Sequence, residues 1–353
     1  MLIRPGLDQL KPYSVDEAEF RVKLDANERS TNLPAAVLEE VTARLAELAF
    51  NRYPDIGITG LRDKIAKAMN LSRESVLIGN GSSELLAALC YAFGGAGRSI
   101  VFPTPSFSMY GIYTKLADSQ AVAVKLQADY SLSASDVLSA ASDNQASLIL
   151  LCNPNNPTGN AIPLETLETI IAQAACPVVV DEAYYEFHGH SVVSLLAKYA
   201  NLIVTRTFSK AYGLAAARVG YLLADPKITN IVGKVLMPYH VNALSLAAAE
   251  VVYDRRKAFE PDIDLATRER QRLIDSLSLF EGLEVYPSQA NFVLVKAVDN
   301  QGLAEWLTAK SIGIRDFGSA PGLEGCIRIT VGTVEDNNAL LQAAAEFYQQ
   351  VSV

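Results

Sequence analysis

Between Ser75 and Ala224, short continuous apolar runs alternate with stretches of helical spacing, and few architectures accommodate that rhythm. Seven runs read as strands: Val76–Ile78, Ser99–Phe102, Ala121–Lys125, Ser147–Leu151, Val178–Val180, Leu202–Thr205 and Gly220–Leu223. A strand that is apolar on both faces belongs to a sheet covered on both faces. Helices that return the chain between parallel strands supply that cover. Ser83–Phe93 and Pro163–Gln173 have the required apolar spacing. The expectation is an α/β unit with a mostly parallel seven-stranded sheet between helices. In such sheets the residues that do chemistry collect at the carboxyl ends of the strands.

The chain has 353 residues, more than a single hydrophobic core usually organises. A helical bridge is expected over Asn242–Leu279. A small α+β unit follows, from Gly282–Tyr286, Asn291–Val295, a helix near Leu303–Lys310, Ile312–Ile314, Cys326–Thr330 and a last helix over Glu335–Gln349. The expected division is 1–45 as an N-terminal arm and part of the small unit, 46–265 as the large unit, and 266–353 as the small unit. The early helix Pro34–Ala49 is expected to pack with the small unit.

Thirty Lys and Arg against 39 Asp and Glu give a formal charge of −9, which disfavours nucleic acid as a partner. No apolar run approaches membrane-spanning length, and Met1–Lys11 lacks the pattern of a secretory signal. The four cysteines, Cys90, Cys152, Cys176 and Cys326, form no metal or redox pair, and no metal site is expected. Reduced thiols in a cytoplasmic protein are the expectation.

Thr207-Phe208-Ser209-Lys210 follows the run Leu202–Thr205, with Gly213 and Arg218 shortly after. Most lysines are surface residues. Here hydroxyls and an arginine flank the lysine, and together they suit a phosphate. A lysine beside such a cradle can form a Schiff base with an anchored aldehyde. Asp181, in Asp181-Glu182-Ala183-Tyr184, ends a buried run and needs a cationic partner unless it merely caps a helix. In a pyridoxal enzyme that partner is the ring nitrogen, and Tyr184 can reach the ring oxygen. Asn153-Pro154-Asn155-Asn156-Pro157-Thr158-Gly159 is first of all a turn, yet it can aim the Asn156 amide at the same oxygen. Gly79-Asn80-Gly81-Ser82-Ser83-Glu84 places backbone N–H groups at a helix start, where an anion is stabilised. Glu84 stands where a dinucleotide fingerprint needs glycine. Phe107 is either a core aromatic or a stacking platform.

These motifs occur in one order on one alternating scaffold, and with them the chain resembles the fold-type I pyridoxal-phosphate-dependent aminotransferases. Within these it is similar to the histidinol-phosphate aminotransferase family. Further matching segments are Leu10-Lys11-Pro12-Tyr13, Lys23-Leu24-Asp25-Ala26-Asn27-Glu28, Asn51-Arg52-Tyr53-Pro54-Asp55, Ser209-Lys210-Ala211-Tyr212-Gly213-Leu214 and Arg328-Ile329-Thr330-Val331-Gly332-Thr333. The resemblance implies pyridoxal 5'-phosphate as cofactor, with Lys210 as Schiff-base lysine and Asp181 on the ring nitrogen. It implies Tyr184 and Asn156 on the ring oxygen and Phe107 stacked on the ring. The phosphate falls to Ser82, Ser83, Thr207, Ser209, Arg218 and a second subunit's Tyr53, which implies a homodimer.

For substrate the resemblance implies Arg328 and Arg315 as anion-binding residues, helped by Tyr13 and Asn27. Arginine suits a site that takes a phosphate and a carboxylate in turn. The implied reaction is ping-pong transamination between L-histidinol phosphate and 2-oxoglutarate, giving imidazole-acetol phosphate and glutamate. The chain departs from the family at Arg29-Ser30-Thr31-Asn32-Leu33-Pro34, expected near the substrate mouth, and at Ala215-Ala216-Ala217 before Arg218. An aromatic or broad-range aminotransferase and a related lyase such as a threonine-phosphate decarboxylase share Lys210 and Asp181. A pyridoxal-binding regulator would need a DNA-binding module, for which the segment before Tyr13 leaves no room.

Overall fold

The computed structural model of the protein describes Leu7 and residues 19–351. A short strand β1 (Val22–Lys23) and two helices, α1 (Ala35–Ala46) and α2 (Thr59–Met69), precede the main sheet. Its strands are β2 (Val76–Asn80), β3 (Ser99–Thr104), β4 (Gln120–Lys125), β5 (Ala146–Cys152), β6 (Val178–Asp181), β7 (Leu202–Thr207) and β8 (Val219–Ala224). All seven expected runs are therefore strands of one sheet, ordered β2-β8-β7-β6-β5-β3-β4. Strand β8 is antiparallel to both neighbours, and the others share one direction. Helices α3 (Gly81–Phe93), α4 (Met109–Leu116), α5 (Ala134–Asp143), α6 (Leu164–Gln173) and α7 (Tyr185–His188) return the chain between strands.

Every residue of β6, β7 and β8 is buried, because the alternating side chains enter two different cores. Ile149, Leu151, Val178, Val180 and Val204 point into one. Leu148, Leu150, Val179 and Ile203 point into the other. Full burial of such a side chain stabilises by ~1.5–3 kcal/mol, so the central strands are the firmest part of the frame. The carboxyl ends of these strands are thereby fixed side by side, with Cys152 of β5 opposite Asp181 of β6, and Asp181 opposite Thr205 of β7.

Beyond the sheet one sequence expectation holds and one is corrected. The bridge expected over Asn242–Leu279 is helical, in two main helices. After α8 (Pro226–Gly233), α9 (Ala243–Asp254) and α10 (Glu260–Leu277) are separated by a tight turn, Arg256–Phe259. Pro261 sits in the first turn of α10, where its missing N–H costs nothing, and it could not continue α9. The early helix, now α1, packs on the large unit rather than the small one. Val37 and Val41 join the same core as Ala248, Ala249 and Val252 of α9, whose small side chains let the two helices approach.

The small unit is an antiparallel sheet of β9 (Leu283–Val285), β10 (Phe292–Ala297), β12 (Arg315–Asp316) and β13 (Cys326–Thr330), in the order β12-β13-β10-β9. Helix α11 (Asn300–Ala309) leads to β11 (Ile312–Gly313), which pairs with β1, and α12 (Val334–Val351) closes the described chain. The small unit thus holds the expected strand Ile312–Ile314 as Ile312–Gly313, with Ile314 lying between β11 and β12. Its own core contains Val22, Leu273, Val293, Ile327 and Phe347. Among the described residues no helix is long and apolar enough to cross a membrane.

Candidate active site

A cavity of about 240 Å³ opens at the carboxyl edge of the main sheet and is bounded on its far side by the small unit. Asp181, Lys210, Tyr184, Asn156, Phe107, Ser82, Ser83, Thr207, Ser209, Arg218, Arg315, Arg328 and Asn27 all line it. Thirteen residues scattered from 27 to 328 in sequence therefore share one wall. Tyr53 does not line this cavity. It is 82% exposed and stacks on Tyr239 with ring centroids 4.5 Å apart. Tyr13 lies outside the described residues.

Asp181 ends β6 and is 3% exposed. Its carboxylate accepts from Thr205 Oγ1 at 3.0 Å and from Tyr110 OH at 3.1 Å. Among the described residues it has no salt-bridge partner. Burial therefore pushes its pKa up to about 6, against the pull of those two hydroxyls. Thr205 and Tyr110 escaped the sequence reading. Thr205 is visible only through the β6/β7 register. Tyr110 stands three residues beyond Phe107, on the same side of the helical turn, and its ring meets Phe107 edge-on at 5.5 Å.

Lys210 follows the end of β7, and its Nζ donates to the Ala26 carbonyl at 2.9 Å. Burial, then the nearby Arg328 charge, brings its pKa down to about 7. Much of this amine is thus neutral in neutral solution, as a nucleophile or base requires. The protein without cofactor is expected to capture a small aldehyde at Lys210 at a rate that rises with pH and levels off above about 7. A plateau reached only near the ordinary lysine value would contradict this assignment; peptide mapping after borohydride reduction provides the measurement.

One end of the cavity is a cradle for an anion. Arg218, with φ of +54°, turns its guanidinium back so that Nη1 donates to Ser209 Oγ at 3.3 Å and to the Ala215 carbonyl at 3.2 Å. It makes no salt bridge among the described residues. A Cβ on Gly81 would lie 2.6 Å from Arg218 Nη2, and one on Gly220 would lie 2.3 Å from the Ser82 nitrogen. Only glycine allows these backbones to close around the start of α3, where N–H groups point outward.

A second cationic cluster belongs to the small unit. Arg328 Nη1 donates to Asn156 Oδ1 and Nη2 to the Asp25 carbonyl, both at 2.6 Å. Arg315 and Arg328 stand directly opposite each other in the β12/β13 ladder. Like charges in that relation repel, so the pair favours an anion between or above them. The polar groups between the two ends are tightly connected. Tyr184 OH receives the Nδ2 of both Asn27 and Asn156 at 3.2 Å. Asn27 also accepts from Thr330 Oγ1 at 3.1 Å, which leaves it a single N–H for any ligand.

The segment expected at the substrate mouth points elsewhere. Arg29, Ser30 and Thr31 line a separate cavity behind Ala211. Arg29 pairs with Asp262 of α10 and lies over the Phe259 ring at 5.1 Å. Asp25–Asn27, not 29–34, forms this part of the wall. A bulky, charged Arg29 is drawn to the acidic start of α10 rather than to the arginine-rich cavity.

A family model described as aminotransferase class I and II matches residues 21–343. The chain is 37% identical over 345 residues to a histidinol-phosphate aminotransferase of Thermoanaerobacter pseudethanolicus, covering 98% of each. It is 36% identical over 344 residues to a protein of the same name from Ruminiclostridium cellulolyticum, covering 96% of each. Among solved structures it is similar to the histidinol-phosphate aminotransferase of Sinorhizobium meliloti in complex with pyridoxal-5'-phosphate. The TM-score is 0.90 at 25% identity, over 99% of this chain and 98% of that one. An L-threonine-O-3-phosphate decarboxylase from Porphyromonas gingivalis, at 23% identity and TM-score 0.81 over 93% of this chain and 99% of that one, shares the fold alone.

Proposed function

The chain belongs to the class I and II aminotransferases, and on that premise we propose that it is a pyridoxal-phosphate-dependent enzyme that transfers the amino group of L-histidinol phosphate to 2-oxoglutarate. One observation carries the reading: Lys210 and Asp181 share a cavity that has two cationic clusters, Arg218 at one place and Arg315 with Arg328 at another. A phosphorylated cofactor and an anionic substrate together need two such clusters. Incubation of purified protein with histidinol phosphate and 2-oxoglutarate tests it through the glutamate formed, with phenylalanine as the competing donor. Preference for phenylalanine would favour a broad-range aminotransferase.

The residues fit the cofactor in charge as well as in shape. Asp181 is a buried carboxylate that lacks a cation, and it would hold the protonated ring nitrogen. Tyr184 and Asn156 would face the ring oxygen, with Phe107 against the ring. Ser82, Ser83, Thr207, Ser209 and Arg218 would hold the phosphate. When bound, the cofactor supplies a carbonyl for the amine and an electron sink for the charge left at the substrate's reacting carbon. Neutral Lys210 Nζ would take the proton from that carbon, hold it as the ammonium, and give it to the carbon that had been the cofactor's aldehyde carbon. Arg315 and Arg328 hold the substrate's anionic end and so fix which C–H bond faces Lys210. The two half-reactions use one site in turn, which makes the kinetics ping-pong.

Arg315→Ala is expected to lower kcat/KM for histidinol phosphate roughly ten- to a few hundred-fold, since a charged hydrogen bond contributes ~1.5–3 kcal/mol. The loss for dephosphorylated histidinol is expected to be much smaller. Equal losses for the two amines would remove Arg315 from phosphate recognition.

The assembly we propose is a homodimer in which Tyr53 reaches the partner's cofactor phosphate. The supporting observation is that Tyr53 and Tyr239 form a stacked aromatic pair at the surface, next in sequence to the exposed Phe50, Ile56 and Met237. Sedimentation at assay concentration is expected to give a dimer, and Tyr53→Phe to weaken cofactor retention. A fully active monomer would remove the assignment. Residues 46–265 are the cofactor-holding unit and 266–353 the substrate-closing unit in this reading. A cytoplasmic location is supported by four buried cysteines, none of them in a disulfide.

A further inference from the structure

The segment between β12 and β13 brings Phe317 and Leu323 to the cavity wall beside Arg315. It is bonded largely to itself. Phe317 N donates to the Cys326 carbonyl at 3.0 Å, Leu323 N to that of Ala320 at 2.9 Å, and Gly325 N to that of Gly318 at 3.0 Å. A segment built this way keeps its own shape but needs an external tie to keep its place. Tyr130, in the loop between β4 and α5 of the large unit, supplies one. Its hydroxyl donates to the Gly322 carbonyl at 3.2 Å, and its ring meets Tyr286 edge-on at 5.0 Å. The surfaces are close here, since a Cβ on Gly322 would lie 3.3 Å from Pro105 Cδ.

Tyr130 is itself held from the active-site side. The Asn160 Nδ2 donates to its carbonyl at 2.9 Å. Asn160 accepts from Thr158, which accepts from Asn155 Nδ2 at 2.7 Å. Asn155 in turn accepts from Ser106 Oγ at 2.6 Å. Ser106 and Asn155 adjoin Phe107 and Asn156, so one chain of bonds runs from the cavity floor to the tyrosine that pins the opposite wall. Tyr130 also has φ of +61°, a left-handed conformation that a bulky side chain rarely adopts and that persists only where its surroundings enforce it.

We propose that Tyr130 is a positioning residue that sets the place of Leu323 and Phe317 over the substrate end of the cavity and so selects for amines that carry a ring. The proposal rests on the reading that the Arg315 end receives the substrate. A ring placed between the arginines and Lys210 meets the Leu323 and Phe317 wall. The short chain of glutamate meets much less of it. The hydroxyl of Tyr130 carries no charge, so its removal loosens the wall without altering the groups that move protons.

The test is a mutant cycle of Tyr130→Phe and Leu323→Ala, measured on the cofactor-loaded dimer with histidinol phosphate and with glutamate. Tyr130→Phe keeps the ring contact with Tyr286 and removes the hydroxyl, with its bond to Gly322 and its weaker contact with Cys326 Sγ at 3.8 Å. It is expected to raise KM for histidinol phosphate ~3- to 10-fold with kcat within about twofold, as for one neutral hydrogen bond. KM for glutamate is expected to change less than about twofold, and the cofactor's absorbance not at all. In the Leu323→Ala background the same change is expected to add less than about twofold, because the two act through one wall. Equal KM rises for both amines, or effects that multiply independently, would overturn the proposal. If the unmutated enzyme does not use histidinol phosphate, only the substrate reading fails, and the cycle is then decided with phenylalanine, whose ring meets the same wall.

Discussion

Replacement of Lys210 by alanine is expected to lower transamination by roughly 10⁴-fold or more, since it removes both the amine that engages the aldehyde and the base that moves the proton. The cofactor is expected to remain bound through the Arg218 cradle, which does not depend on Lys210. Borohydride reduction and peptide mapping are expected to place the cofactor on Lys210 in the unmutated enzyme and on no residue in the variant. Label on another lysine would sink the catalytic assignment. Stability is expected to move the other way. The folded state depresses the Lys210 pKa to about 7, so below that pH it must bury an ammonium. The penalty is full below about 7 and is relieved as pH rises toward the unfolded value of 10.5. Cofactor-free Lys210→Met is therefore expected to melt higher than the unmutated apoprotein at pH 6, with the gain shrinking above pH 7.

Asp181→Asn is expected to reduce turnover at least ~10²- to 10³-fold, the scale on which removal of a single preorganised electrostatic group is felt in a dry site. Asparagine has nearly the same shape and can still meet Thr205 and Tyr110, so the protein is expected to fold and to bind the cofactor. What it lacks is the negative charge that keeps the ring nitrogen protonated. Single-turnover rates with glutamate separate chemistry from binding. Near-normal rates in that assay would reduce Asp181 to the plain end of a strand. Thr205→Val and Tyr110→Phe, which each remove one hydroxyl from the carboxylate, are expected to fall between the two, because they raise the Asp181 pKa further without removing the charge.

All seven strands of the main sheet were legible in the chain because a strand buried on both faces must be continuously apolar, and such runs stand out against helical spacing. The residues at the strand ends were legible for a related reason. A lysine or aspartate next to a buried run has to be accounted for, and Lys210 and Asp181 were found on that ground. The helical region over Asn242–Leu279 was legible because its composition stays helical throughout, and within it only Pro261 marked the break between α9 and α10. The early helix was misplaced because an apolar stripe such as Val37 and Val41 says that something covers it, not what does.

Sequence by itself determined the α/β class and singled out Lys210 and Asp181, which stand beside buried runs, while Arg315 and Arg328 came from the family resemblance alone; all four line one cavity. Tertiary structure alone decided that Thr205 and Tyr110 hold Asp181, that Ala26 receives Lys210, that Arg29 turns away to Asp262, and that Tyr130 reaches Gly322. Those contacts join residues 24 to 233 positions apart. Their partners are set by strand register and by how two cores meet. A hydrogen bond forms wherever packing leaves a donor beside an acceptor, and nothing in the chemistry of either residue names the other in advance.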